Sequence, residues 1–139
     1  VFQKIMVPVD LAHADRLERA TTAAADLAKL YGATVVYVGV TAPTPSAIAH
    51  TPQEFAGKLQ AFAADQAAKL GHQATSHAMV SHDPTIDLDD TLLKGLNETG
   101  ADLVVMASHI PNVTDYIWPS NGGQIAAHAK ASVFIVRMA

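Results

Sequence analysis

Apolar and polar positions switch between two periods along this chain. Ile5-Met6-Val7-Pro8-Val9 is a short unbroken apolar run that ends at Asp10, the pattern of a strand buried on both faces whose last residues emerge at the edge of a sheet. Helical spacing follows: Leu17, Ala20, Ala24, Leu27, Ala28 and Tyr31 share one face. Asp15 with Glu18 three residues on predicts a capping box at the start of that helix, and Gly32 predicts its stop. Thr34 to Val40 is a second, β-branched run, ended by Pro43 and Pro45, and Ala42 to His50 reads as a loop. Thr51-Pro52-Gln53-Glu54 then predicts a second helix, with a Thr cap, Pro in the first turn and Glu as reciprocal partner. Phe55, Leu59, Phe62, Ala63, Ala67 and Leu70 carry its apolar face as far as Gly71. Thr75 to Ser81 is a weaker strand, apolar only at Ala78, Met79 and Val80. Asp83-Pro84 opens a third helix bearing Ile86, Leu92, Leu93 and Leu96, closed near Gly100. Leu103 to Ala107 is the strongest strand signal. A helix from near Ser120 and a last strand, Val133 to Arg137, complete the order βαβαβαβαβ.

Strands alternating with helices imply an α/β fold with a parallel sheet covered on both faces and right-handed crossovers. Such sheets bind ligands beyond the C-terminal ends of the strands, where strand order reverses. If the first and fourth strands are central neighbours, Pro8, Val9 and Asp10 of the first and Ala107, Ser108 and His109 of the fourth line that crevice. A chain of 139 residues is expected to form a single domain, 1–139, large enough to bury a core.

Composition narrows the function classes. Half of the residues are hydrophobic and 16% are charged, which excludes a disordered chain. The net charge of -4, with basic residues scattered and never in a run, argues against duplex nucleic acid as a partner. The chain has no Cys, so a disulfide framework, a thiolate metal site and a cysteine nucleophile are excluded. Its longest apolar runs are too short to cross a bilayer, and no basic stretch followed by an apolar segment marks a signal peptide, so the expected partners include no membrane and the expected location is cytoplasmic.

Other candidate chemistry is thin. The seven histidines, at 13, 50, 72, 77, 82, 109 and 128, show neither paired spacing on one helical face nor a ligand cluster, so no metal is predicted. Asp83, Asp87, Asp89 and Asp90 suit the positive end of a helix dipole. Gly122-Gly123 belongs to neither a Walker loop nor a dinucleotide fingerprint, and Trp118 reads as a packing anchor or surface contact. No Ser or Asp stands in triad spacing around His109.

Lys4 to Asp10, Val35 to Val40, Leu103 to His109, Ser120-Asn121, His128-Ala129 and Ser132 to Arg137 together resemble the universal stress protein family, and the pattern is most similar to its F-type branch. The resemblance covers essentially the whole chain. It implies a three-layer α/β/α sandwich of the adenine nucleotide alpha hydrolase-like kind, with a five-stranded, mainly parallel sheet in the order 3-2-1-4-5. It also implies a non-enzymatic stress-response or regulatory module, an adenine nucleotide (ATP or AMP) as ligand, and a homodimer formed through the C-terminal strand. Carried over by position, the nucleotide-binding residues are Pro8, Val9, Asp10, Val40, Ala107, His109, Ser120 and Asn121.

Four positions depart from the family pattern. Ala107 stands for the Gly before Ser-His, Ile110 followed by Pro111 for the Gly after it, Pro119 for the Gly of the Gly-Ser pair, and His82 for the Gly before the third helix. Ile110 adds bulk and is biased toward extended backbone by Pro111, while Pro119 has no N-H to offer a phosphate oxygen. Adenine contact is therefore expected to survive better than phosphate contact. Each candidate also has a plainer role: Asp10 as cap of the loop into the first helix, Ser120 as a helix cap, His109 as a packed side chain. The alternative reading is a homodimeric interaction module of the same fold that has lost nucleotide binding. A phosphate-transferring enzyme ranks below both, for want of a recognisable nucleophile, base or Mg²⁺ carboxylate pair.

Overall fold

Five apolar runs become the five strands of one parallel sheet in the computed structural model, which describes residues 1–107, 125 and 129–137. They are β1 (Lys4–Pro8), β2 (Thr34–Thr41), β3 (Gln73–Val80), β4 (Leu103–Ala107) and β5 (Ser132–Val136). Their spatial order is β3-β2-β1-β4-β5, as the resemblance implies, and every pairing is parallel, as the alternation of strands and helices predicts. Helices α1 (Glu18–Tyr31), α2 (Pro52–Leu70) and α3 (Pro84–Thr99) make the first three connections. The predicted helix near Ser120 lies almost wholly outside the described residues. Within it, Ile125 is buried, and its carbonyl accepts the Ala129 N-H at 2.8 Å, the spacing of a helical turn.

Successive side chains of a strand point to opposite faces, so a sheet covered on both sides needs apolar residues at every position. Ile5, Val7, Val35, Tyr37, Leu103 and Val105 face one layer, packed against Ala20, Ala24 and Ala28 of α1 and Phe55, Leu59 and Ala63 of α2. Met6, Val36, Val38, Val104 and Met106 face the other, against Leu88, Leu92 and Leu96 of α3 and against Ile125. Each fully buried Val, Leu or Ile contributes about 1.5–3 kcal/mol of transfer free energy, and both layers depend on this. Small residues on α1 let it lie close to the sheet. On α2 the close approach is made by the strand instead: a Cβ on Gly39 would stand 2.8 Å from Cζ of Phe55.

The predicted stops at Gly32, Gly71 and Gly100 are all observed, with positive φ at each. The predicted starts fare less well. Asp10, in extended conformation, caps a 3₁₀ turn at Leu11–Leu17 through its Oδ1, which accepts the Ala12 N-H at 3.1 Å. The chain is thus already coiled when it reaches Asp15, and a capping residue needs extended backbone. Leu17 stands at the cap of α1 without a side-chain bond, and the expected Asp15-Glu18 box is not formed. At α2 the Thr51 hydroxyl accepts the Glu54 N-H at 3.0 Å as predicted. The Glu54 carboxylate, however, takes the N-H of His50, one residue before the expected partner. That backbone bond, ahead of Lys58 and the His50 ring, holds the Glu54 carboxyl below the usual carboxylate range. Asp83 stands at the N-cap of α3.

One polar pair is built into the α1/α2 layer. Tyr37 is fully buried, its hydroxyl lies 2.9 Å from Nε2 of His72, and Phe62 meets its ring edge-on. Burial pushes the Tyr37 hydroxyl pKa up and, with Lys29 adding to the effect, the His72 imidazole pKa down, so both partners stay neutral at pH 7.

The close contact at Gly39 yields a stability prediction. Gly39→Val is expected to cost about 1–3 kcal/mol by overpacking against Phe55, with part of the loss restored by adding Phe55→Leu. Urea unfolding of the single and double variants measures both effects.

Candidate functional site

Strand order reverses between β1 and β4, and the two strands part there. Pairing runs from Lys4 to Pro8 between β1 and β2, and from Leu103 to Ala107 between β4 and β5. Between β1 and β4 the registered pairs among the described residues are Ile5↔Leu103 and Met6↔Val104. Alternate residues of a parallel strand address alternate neighbours. Val9 donates its N-H to Val38 on the β2 side at 2.8 Å, whereas the Lys4 carbonyl accepts from Asp102 on the β4 side at 3.0 Å. Lys4, Met6 and Pro8 therefore share the β4 side, and the next donor due to β4 is that of Pro8, which has none. The break in this ladder has a covalent cause.

Below the split, on the α3 side, lies an apolar cleft of about 200 Å³ counted to its open mouth. Its walls are Met6 and Pro8 of β1, Val104 and Met106 of β4, Leu92 and Leu96 of α3, and Ile125.

The predicted residues divide by face. Pro8 lines the cleft, and Val40, partly buried two positions beyond the Pro8↔Val38 pair, packs on the same α3-side core. Val9 and Ala107 stand at the same sheet edge, but their side chains are buried in the α1/α2 core, so neither presents a side chain to the cleft. His109, Ser120 and Asn121 lie outside the described residues, as do Ser108, Ile110, Pro111, Tyr116, Trp118, Pro119, Gly122, Gly123 and His128. His82 is exposed just after β3.

Asp10 stands two residues beyond Pro8 of the cleft wall, and its capping role is the one displayed. While Oδ1 holds the Ala12 N-H, Oδ2 lies 2.6 Å from Nδ1 of His13. The backbone breaks helical geometry at His13 (φ -132°, ψ 30°), where its N-H reaches the Asp10 carbonyl at 3.0 Å. Each carboxylate oxygen has a second acceptor direction, so capping and ligand contact are compatible. The histidine partner is the residue that sequence reasoning missed. Its only signal was the three-residue spacing from Asp10, which becomes a contact through the break at His13 itself.

The comparison with known proteins bears on this architecture directly. The profile of the universal stress protein family matches residues 2–137. The chain belongs to the universal stress protein family. Solved universal stress proteins share its fold. One determined in complex with cAMP is 22% identical, with a TM-score of 0.69 and 99% of each chain covered. A universal stress protein from Archaeoglobus fulgidus in complex with dAMP is 22% identical, with a TM-score of 0.62 over 97% of this chain and 98% of that one. A family member from Burkholderia pseudomallei is 20% identical, with a TM-score of 0.69 over 96% and 95%. Among the described residues of this universal stress protein, no helix is long and apolar enough to cross a membrane.

Proposed function

We propose that this universal stress protein is a non-enzymatic regulatory module that binds an adenine nucleotide at the C-terminal ends of β1 and β4. The observation that carries the reading is the break in the β1–β4 ladder at Pro8 above an apolar cleft, with Asp10 two residues further along the chain. An adenine ring suits the apolar α3-side surface that carries Pro8 and Val40, and a carboxylate suits the donors of an exocyclic amine or a ribose. The cAMP and dAMP complexes of two proteins with this fold support the choice of ligand. His109, Ser120 and Asn121 enter the proposal by position in the family pattern, as do Val9 and Ala107 through their backbone. A stress-response role, a cytoplasmic location and the F-type branch enter it on the family and its sequence pattern alone.

Recognition centres on the nucleoside. Ile110 and Pro119 stand where the family pattern has glycines, so the β- and γ-phosphates add little. Calorimetric titration is expected to show saturable binding of both AMP and ATP, with affinities within about tenfold, a difference of about 1.4 kcal/mol. Absence of binding by either at millimolar concentration contradicts the proposal, and a much larger preference for ATP contradicts its nucleoside-centred form.

A second reading, a homodimeric interaction module, is favoured by the edge strand. On β5, Phe134 and Ile135 are 47% and 41% exposed. The Ser132 N-H is turned toward β4 by its bond to Asp102, so by alternation Val133 and Ile135 turn their backbone outward. An apolar edge of this kind suits a second copy of the chain. Sedimentation is expected to show a dimer at micromolar concentration and a monomer for Phe134→Glu. A monomeric wild type contradicts this reading.

A further inference from the structure

Asp10 is held in place more completely than a helix cap requires. Its Oδ1 accepts the Ala12 N-H, its carbonyl accepts the His13 N-H, and its Oδ2 meets the His13 ring at 2.6 Å. The side chains are largely covered, Asp10 10% and His13 20% exposed, so the contact is shielded from competing water. A cap bond alone leaves the second oxygen able to swing about the terminal torsion, which is broad for a carboxylate. The bond to the imidazole removes that freedom. The backbone supplies a second, independent sign: the chain leaves helical geometry at His13 and nowhere else in the 3₁₀ turn.

We infer that His13 is a positioning residue of the nucleotide site, its Nδ1-H fixing the Asp10 carboxylate in the orientation that meets the ligand. A carboxylate oxygen accepts, so the hydrogen of this bond sits on Nδ1 and the imidazole tautomer is set by the contact. The bond is short and charge-assisted, the strong class of protein hydrogen bond. Ligand donors approach the acceptor directions that remain on the two oxygens, and these directions move with the carboxylate plane. His13 thus acts through Asp10. The inference rests on the proposed nucleotide site and adds to it the group that orients its acceptor.

The test compares three variants in AMP titration calorimetry. An Asn side chain carries its N-H₂ near the place of Nδ1, whereas Gln carries it near that of Nε2. His13→Ala and His13→Gln are expected to bind AMP about tenfold more weakly, the scale of one charge-assisted hydrogen bond. His13→Asn is expected to stay within about threefold of the wild type by the same scale. Circular dichroism establishes that each variant is folded. Wild-type affinity in His13→Ala and His13→Gln, or an Asn variant as weak as the Ala variant, overturns the inference while leaving the nucleotide site standing. A wild type that binds no AMP overturns the site itself and the inference with it. ¹⁵N NMR of the wild-type imidazole provides a check independent of any variant: a protonated Nδ1 agrees with the assignment, and a bare Nδ1 overturns it.

Discussion

The proline at the end of β1 is the constraint on which the site depends. A central strand of a parallel sheet hydrogen-bonds to both neighbours, and β1 does so until the backbone of Pro8 is due to donate toward β4. The missing bond is worth only about 0.5–1.5 kcal/mol net, little against the burial of both layers. Its effect is geometric. The sheet stays intact on the β2 side, where Val9 still reaches Val38, and opens on the β4 side at the point where strand order reverses. Beside that point lies the apolar cleft lined by Met6, Val104 and Met106.

Two further features turn this opening into a recognition site. The first is chemical contrast: the cleft is apolar, and the first polar side chain after Pro8 along the chain is Asp10, so a ligand with a flat ring and nearby donors suits this stretch. The second is local rigidity. Asp10 follows the strand, caps the 3₁₀ turn and binds His13, so one residue couples the sheet edge to the turn that leads into α1. In the α1/α2 layer, away from the site, the buried Tyr37 hydroxyl is paired with Nε2 of His72.

The general fold was legible because the signals behind it are redundant. Runs apolar at every position identify strands covered on both faces, and glycines at 32, 71 and 100 mark helix ends where a positive φ is needed. Leu103–Ala107 was placed to the residue, while the first and last strands begin and end one residue earlier than their apolar runs suggest. The weak strand pattern from Thr75 falls short of β3, which starts at Gln73. An edge strand is half exposed, and its polar residues hide it from a hydrophobic pattern. Helix entry was harder to read because capping depends on which residue is still extended. Asp10, leaving a strand, has that conformation, and Asp15 does not. At the site, the gathering of Pro8, Val9, Asp10, Val40 and Ala107 at one sheet edge followed from topology. Their division between faces did not, since it depends on the cross-strand register Pro8↔Val38.

The central claim is that an adenine nucleotide sits where Pro8 parts β1 from β4. ¹H-¹⁵N NMR of the uniformly labelled protein, titrated with AMP, tests it most directly. The account predicts saturable shifts concentrated at the amides of Val9 to His13 and of Val40 and Thr41, with the far edge from Gln73 to His77 unchanged. Saturable shifts confined to another part of the sheet, or none at millimolar AMP, would contradict it.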